Sequence, residues 1–497
     1  MKATERPYPP GSYDVVVVGS GPGGLQTAYC LARSGIPRVA VLSRDDEPAG
    51  MFRHFPVFQR LISWTKPQSP VERGSREYEW YDHNSLLGDE PDHRSLMPLF
   101  MDRSFDVPAR EEMEQALCAF VERADLRVRY GCTLERARRD DQELVLETSD
   151  GEYRCRAAVF ALGVTEAWLP PIPGLDDARH YVHTGRPSDY DGKRVIIIGK
   201  RNSGFELAQG LLPWAKQITL VSPRPVQTAV LALSALRVRY LQPYDEYVRG
   251  GSGTYVLDAA VERIERREGG CRVHADGTTW TGKLELDGDE VIIATGFRTP
   301  LEPLADLEIA TVADGRIPAQ TPFWESISAP GVYFAGNATQ GSFGLKKHGA
   351  AANSTSVNGF RYNARALVQH IAEKHFGIGS PRRALRRDEV VRFLLGELAA
   401  APELWIQKGY LARTVSFDSS GICDEGIVPL AHFVDAAGPD AVAAAVEVDA
   451  DGKIVPVLYV RRQGRVHEHT LAPHPLHAFD GPEQEAELTS RLQPLLG

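Results

Sequence analysis

Two glycine-rich turns constrain this chain more than any other feature. The first lies in VVVVGSGPGGLQTAY at residues 15–29. Its valine run enters glycine as a strand buried on both faces of a parallel sheet does. A helix is expected from about Leu25 to Ser34, and RVAVLS then gives a second strand ending near Ser43. The other turn lies in RVIIIGKRNSGFELA at residues 194–208 and repeats the order: strand Val195 to Ile198, glycine turn, helix to about Leu212, strand ITLVS.

A strand, glycine turn, helix and strand met twice predict an α/β chain with two Rossmann-like dinucleotide-binding domains, the second nested inside the first. The first domain is expected to resume at EVIIATGF and GVYFAG. Beyond about Arg382 a helix or two and an alternating strand region (KIVPVLYVRRQGRVHEHTL) suggest a small C-terminal extension. The expected boundaries are 1–175 and 291–380 for the first domain, 176–290 for the nested one and 381–497 for the extension. A long aromatic-rich segment from Asp45 to Pro108 lacks periodicity and is expected to cover a site. PAREEMEQALCAFVERA reads as an amphipathic helix, LRVRYGCTLERARR and LVLETSDGEYRCRAAVFALG as strands, with a hairpin turn at Asp150-Gly151.

The chemistry of the turns follows from their residues. In the first, Gly19 permits the tight turn, Gly21 lets the backbone approach a pyrophosphate, and Gly24 lets helix and strand pack closely. The phosphate then sits on the positive end of the helix. An acidic residue should close the second strand to hold the ribose hydroxyls; the chain has Ser43 and Arg44 there, so Ser43, helped by Asp45, is expected in that role. Met51 and Phe52, just beyond, are counted with the cofactor contacts.

The second turn keeps Gly199 and Gly204 but carries Arg201 at the middle position, followed by Asn202 and Ser203. Its second strand ends in Ser222 and Arg224 instead of a carboxylate, which favours a 2′-phosphate and hence NADPH over NADH. A solvated surface role for Arg224 competes with that reading. Two nucleotide sites on one chain imply electron transfer between two cofactors, FAD and NADPH.

Composition narrows the partners. A net charge of -10 argues against nucleic acid and anionic membranes. The six cysteines are scattered with no CxxC pair and no cysteine–histidine cluster, so no metal and no redox disulfide are expected. No apolar run approaches the roughly 20 residues of a membrane helix and no leader is visible, so a cytoplasmic location is expected. A homo-oligomer remains open, and the alanine and arginine bias suits a bacterium.

The motifs GSGPGG, ALG at 161–163, ATG at 294–296 (with Thr295), GxxNSG and GVYFAGN, where Gly336 and Asn337 stand, together resemble the flavoproteins with two dinucleotide-binding domains, and within them the single-component flavin monooxygenases. The family usually ends the last motif in aspartate; Asn337 could still hydrogen-bond a hydroxyl. RLISWTKPQSP, YDHNSLL, RSFDVPAREEMEQAL and NGFRYNARAL are similar to a branch of FAD-dependent oxidoreductase-domain proteins and to amine N-hydroxylating monooxygenases. That likeness implies an NADPH-consuming monooxygenase working through a C4a-hydroperoxyflavin on an amine or amino-acid-like metabolite, with molecular oxygen as co-substrate and bacterial secondary metabolism as its setting. It makes Lys66 a hydrogen-bond donor at the flavin, with Asn84 and Trp64 positioning peroxide or substrate. A solvent lysine before Pro67, a turn former in DHNS and a core tryptophan are the competing roles. His54 and His348 are candidate proton shuttles.

The monooxygenase histidine signature is incomplete: in YVHTGRPSDY, His183 is kept, Asp177 and Arg179 stand where phenylalanine and glycine would, and Pro187 replaces the aromatic. An FAD-linked reductase, or a flavin-bound protein whose C-terminal extension recruits a partner, are therefore the alternatives.

Overall fold

The valine run forms the strand Gly11–Val18, with Val15, Val16 and Val17 wholly buried. It pairs in parallel with Val39–Leu42 on one side and with Gly151–Phe160 on the other. The helix Pro22–Leu31 follows the first turn, starting three residues earlier than its apolar pattern suggests because Pro22 is pre-shaped for a first helical position. Glu143–Thr148 and Leu134–Asp140 extend the sheet antiparallel, and Val332–Phe334 returns late in the chain to pair in parallel with Gly151–Phe160. The computed structural model describes residues 6–54, 60–226, 253–345, 347–348, 352–380, 382–419, 421–474, 476 and 478–496.

Two compact units emerge: one within Met1–Gly50, Ser63–Val164 and Thr299–Gly497, the other within Met51–Ile62 and Thr165–Arg298. The second has its own seven-stranded sheet, in the order Lys283–Gly288, Gly270–Gly277, Thr254–Arg267, Gln217–Ser222, Arg194–Ile198, Glu290–Ile293 and Arg179–His180. One expectation is corrected here. Glu290–Ile293, read as the first domain resuming, pairs in parallel with Arg194–Ile198 and belongs to the second unit. A short apolar run carries no information about which of two sheets it joins. The chain re-enters the first unit at Thr299.

The C-terminal extension is an antiparallel sheet of six strands with helices on both faces. Val390–Ala400, Pro402–Ile406 and Pro482–Leu496 cover one face through Leu394, Leu398, Trp405 and Leu488; Leu430–Asp435 covers the other through Leu430 and Phe433. The alanine-rich stretch becomes the central strand Asp440–Val448, flanked by Leu411–Asp418 and Ile454–Arg462. Its small side chains let helices press close on both faces, so seven consecutive residues are buried.

Candidate functional site

The first turn is built by backbone contact. Gly19 has φ +116°, and a β-carbon on it would lie 2.5 Å from the Ala161 carbonyl oxygen. One on Gly24 would lie 1.9 Å from the Gly19 oxygen. These two glycines close the turn on itself. Gly21, at the helix N-cap, has no protein atom within 4 Å of the corresponding position. The open space in front of Gly21 is what a pyrophosphate needs. Gly23, which the spacing rule passes over, faces the Gly336 backbone so closely that a β-carbon on it would lie 2.3 Å from the Gly336 Cα; the doubled glycine at 23–24 is its only sequence signal.

Ser43 is buried and its hydroxyl lies 2.8 Å from the Ser20 hydroxyl, while also accepting the Asp45 N–H at 3.2 Å. Arg44 is exposed. The Asp45 carboxylate would stand 3.3 Å from a β-carbon on Gly50, a position 3.8 Å from the Gly21 Cα. An acidic group therefore does stand beside the first turn, two residues later than the pattern expects. Met51 and Phe52 lie in the short helix Met51–His54, with Phe52 buried and His54 exposed.

The second turn repeats the contacts of the first and third glycines. Gly199 has φ +128°, its β-carbon would meet the Ala294 oxygen at 2.2 Å, and one on Gly204 would meet the Gly199 oxygen at 2.4 Å. Gly199 N–H donates to Val221 O at 2.9 Å as Gly19 N–H donates to Leu42 O at 2.7 Å. The alanines of ALG and ATG are thus the lids on the two first glycines. Arg201 is the exposed N-cap residue of the helix Asn202–Leu211, and Ser203 is half-buried. Asn202 Oδ1 is buried and has no hydrogen-bond partner in the protein, an acceptor left over at the turn. Ser222 is half-buried, Arg224 exposed, and Thr295 Oγ1 donates to Trp168 O at 2.6 Å.

Asn337 opens the turn Gly336–Gly341 with its side chain partly exposed. Beneath it runs a buried polar chain: Thr339 Oγ1 donates to Gly336 O at 2.7 Å, Asn363 Nδ2 to Thr339 Oγ1 at 3.1 Å, and Gln407 Nε2 to Asn363 Oδ1 at 2.6 Å. Gln407 belongs to the C-terminal extension. Tyr410, from the same extension, donates toward Ser342 Oγ at 2.8 Å and Pro322 O at 2.9 Å, and Lys347 pairs with Glu447 at 2.6 Å and Glu468 at 2.7 Å. The extension thus holds the backbone after Asn337 from below. Lys346 and residues 349–351 of the expected pocket stretch lie outside the described residues, as do 55–59 of the covering segment. His348 is exposed.

The segment expected to cover the site is irregular over most of its length but firmly anchored. Arg361 is 1% exposed and its guanidinium donates to the backbone oxygens of Asp82 and Ser85 at 2.8 Å and Glu79 at 2.9 Å. Tyr362 donates to Glu79 Oε2 at 2.8 Å, and burial pushes the Glu79 carboxyl up. Arg76 makes a fork to Glu397 and Glu403 at 2.7 and 2.9 Å. Asn84 is buried inside this scaffold, Nδ2 donating to Ser63 O at 2.9 Å and Thr65 Oγ1 at 3.0 Å. Trp64 and Lys66 are exposed: Trp64 is 45% exposed and stacks on His83 at 4.5 Å, so it is not a core residue, and Lys66 holds Nζ 6.0 Å from the Tyr81 ring centre. Arg361, Glu79 and Gln407 were not visible as site residues, because a buried arginine or glutamine has no spacing signature.

His183 is exposed at the end of the turn Tyr181–His183, while Arg179 is exposed and Pro187 half-buried. His180, three residues before His183, is buried within 3.2 Å of Gly296 O, and burial holds its imidazole down to about 4. Among the described residues no group of histidine, cysteine and acidic side chains could hold a metal, and no helix is long and apolar enough to cross a membrane.

Two glycine turns of one construction, each at the carboxyl end of a parallel strand in its own mixed sheet, define a flavin-dependent oxidoreductase of the type that carries FAD and NADP(H). The chain belongs to the pyridine nucleotide-disulphide oxidoreductase family, whose model matches residues 16–336. It is 26% identical over 468 residues to FAD-dependent oxidoreductase domain-containing protein 2 of Danio rerio, covering 82% of this chain and 66% of that protein. The chain therefore spans just under two thirds of that relative. Its fold matches a flavin-containing monooxygenase from Stenotrophomonas maltophilia at TM-score 0.55 and 23% identity, covering 73% of this chain and 99% of the other. It matches the bacillithiol disulfide reductase of Bacillus cereus at TM-score 0.56 and 20% identity, covering 73% and 100%.

Proposed function

We propose that this oxidoreductase is an NADPH-consuming FAD monooxygenase that hydroxylates a nucleophilic nitrogen of a small amine or amino-acid-like substrate. FAD would lie at the first turn, with its pyrophosphate before Gly21 and its ribose beside Ser43 and Asp45, and NADPH at the second, with its 2′-phosphate on Arg224. Bound FAD, once reduced by NADPH, supplies the two electrons that let dioxygen divide between product and water. The balance is one amine, one dioxygen, one NADPH and one proton giving one hydroxylamine, one water and NADP⁺.

The observation that carries this reading is the anchored cover. Oxygen transfer fails when water reaches the reduced, oxygen-charged site, so such an enzyme needs a roof that does not open freely. The buried Arg361 clamp and the Arg76 fork hold residues 76–85 in place, which supports reading the segment 60–108 as such a roof. In this reading Asn84 positions the backbone of Ser63 and the side chain of Thr65, while Lys66 and Trp64 meet the substrate, Lys66 as hydrogen-bond donor.

The test is to supply the purified flavoprotein with NADPH, oxygen and a panel of amines, and to measure hydroxylamine and peroxide. The reading expects one amine at which hydroxylamine accounts for most of the NADPH used, and a Lys66→Met variant whose coupling falls roughly tenfold or more. NADPH oxidised with peroxide as sole product for every amine would contradict it. A second reading, an NADPH-dependent reductase, is favoured by the solvent-exposed His183 in an incomplete monooxygenase signature; rapid reduction of an added electron acceptor, unaffected by Lys66→Met, would support it.

A further inference from the structure

Lys200 is 5% exposed, although it sits in a turn where a lysine is ordinarily solvated. It follows the strand Arg194–Ile198 and Gly199, yet its ammonium reaches the strand Thr254–Arg267, donating to Leu257 O at 2.8 Å and pairing with the Asp258 carboxylate. The strand Gln217–Ser222 lies between those two in the sheet. With its hydrogen bond to Leu257 O, the Lys200 side chain therefore bridges past the carboxyl end of Gln217–Ser222 to the strand beyond it.

That end is where Ser222 and Arg224 stand, and Asp258 is the direct ladder partner of Ser222. The other oxygen of Asp258 accepts the Thr279 hydroxyl at 3.1 Å, and its side chain is 24% exposed. A carboxylate at this edge of a dinucleotide-binding sheet holds a ribose 2′-hydroxyl and repels a 2′-phosphate. The second unit therefore does carry an acid at the edge that reads the ribose, on the neighbouring strand, and a buried cation is bound to it.

We propose that Lys200 is a specificity-determining residue: by neutralising Asp258 it leaves the attraction of Arg224 for a 2′-phosphate unopposed. The inference rests on the reading that the second turn holds NADPH. Lys200 attracts no phosphate itself, since its charge is spent on Asp258; removing it uncovers a negative charge, and removing Asp258 frees a positive one.

The experiment titrates the FAD-loaded protein with 2′,5′-ADP and with 5′-AMP, which differ only in the 2′-phosphate, and follows binding by calorimetry. Lys200→Met is expected to weaken 2′,5′-ADP about tenfold while 5′-AMP changes less than about twofold. Asp258→Asn is expected to tighten 2′,5′-ADP about threefold or more with 5′-AMP unchanged, and the double variant to return to within about threefold of the parent. Should Lys200→Met not fold, Asp258→Asn decides alone. A preference between the two ligands that does not move in Asp258→Asn, or that falls equally for both in Lys200→Met, overturns the role given to Lys200. A parent protein that binds 2′,5′-ADP no more tightly than 5′-AMP overturns instead the assignment of NADPH to the second turn, and the inference with it.

Discussion

The two glycine turns agree where their first and third glycines close on a carbonyl oxygen and differ at the middle position, which faces open space in the first turn. Gly19 and Gly24 close on the Ala161 and Gly19 oxygens; Gly199 and Gly204 close on those of Ala294 and Gly199. The middle position is Gly21 in one and Arg201 in the other, and neither is needed to shape the turn. Gly21 stands at an N-cap with φ -72°, which any residue can adopt, and its β-carbon would meet nothing. The first and third glycines therefore belong to the fold, and the second is not required by it, which leaves it to the pyrophosphate in the proposed reading. One sequence pattern mixes two kinds of constraint that the coordinates separate.

The harshest way to break the comparison is to fill a closing glycine. Gly24→Val and Gly204→Val each drive a side chain into a backbone oxygen that has nowhere to go. Each is expected to cost more than about 3 kcal/mol and to give insoluble or unfolded protein, read by thermal melting. A soluble Gly204→Val variant with an unchanged melting temperature would show that the second turn is looser than the first.

Next in size is Arg224→Ala. If this arginine reads a 2′-phosphate, the Michaelis constant for NADPH should rise one to two orders of magnitude, the roughly 1.5–3 kcal/mol of a charge-assisted contact, with NADH little affected. Equal effects on both nucleotides would leave Arg224 a surface residue.

A smaller effect comes from one histidine in each unit. Burial holds His180 down to about 4; burial first, then the Lys374 charge, holds His370 down to about 4 as well. Both imidazoles would titrate near 6.5 in the unfolded chain. Their stability contribution is therefore complete above pH 6.5 and is lost as pH falls from 6.5 toward 4, because only the unfolded chain takes up the proton. His370 lies flat on Phe323 at 4.1 Å, so His370→Phe keeps the stack and should flatten the fall in melting temperature over that window. An unchanged slope would put the acid sensitivity elsewhere.

Much of this is legible in the sequence. Both strand, turn and helix units, both sheets' first strands and the alanine exits lie in local patterns that physics makes stringent: a parallel strand must be apolar throughout, and a turn pressed against a carbonyl must be glycine. What was not legible depends on partners far along the chain. Glu290–Ile293 could have joined either sheet. The strand Asp440–Val448 hid behind alanine, a residue depleted in strands, because its value lies in the close packing of both faces. Gln407 and Tyr410 hold the turn after Asn337 from a C-terminal extension that the sequence presents as an appendage. Asp258, the acid missing from the end of the strand Gln217–Ser222, stands one strand over, where no spacing rule looks.

The measurement that bears most directly on two turns serving two dinucleotides is made on Gly21→Val. Its fold should survive, since a β-carbon there meets no protein atom within 4 Å. Flavin content after purification and 2′,5′-ADP binding would be measured on the same sample. The expected result is a folded protein that has lost its FAD and still binds 2′,5′-ADP at the parent affinity. A folded variant that keeps its full flavin would contradict the assignment of FAD to the first turn.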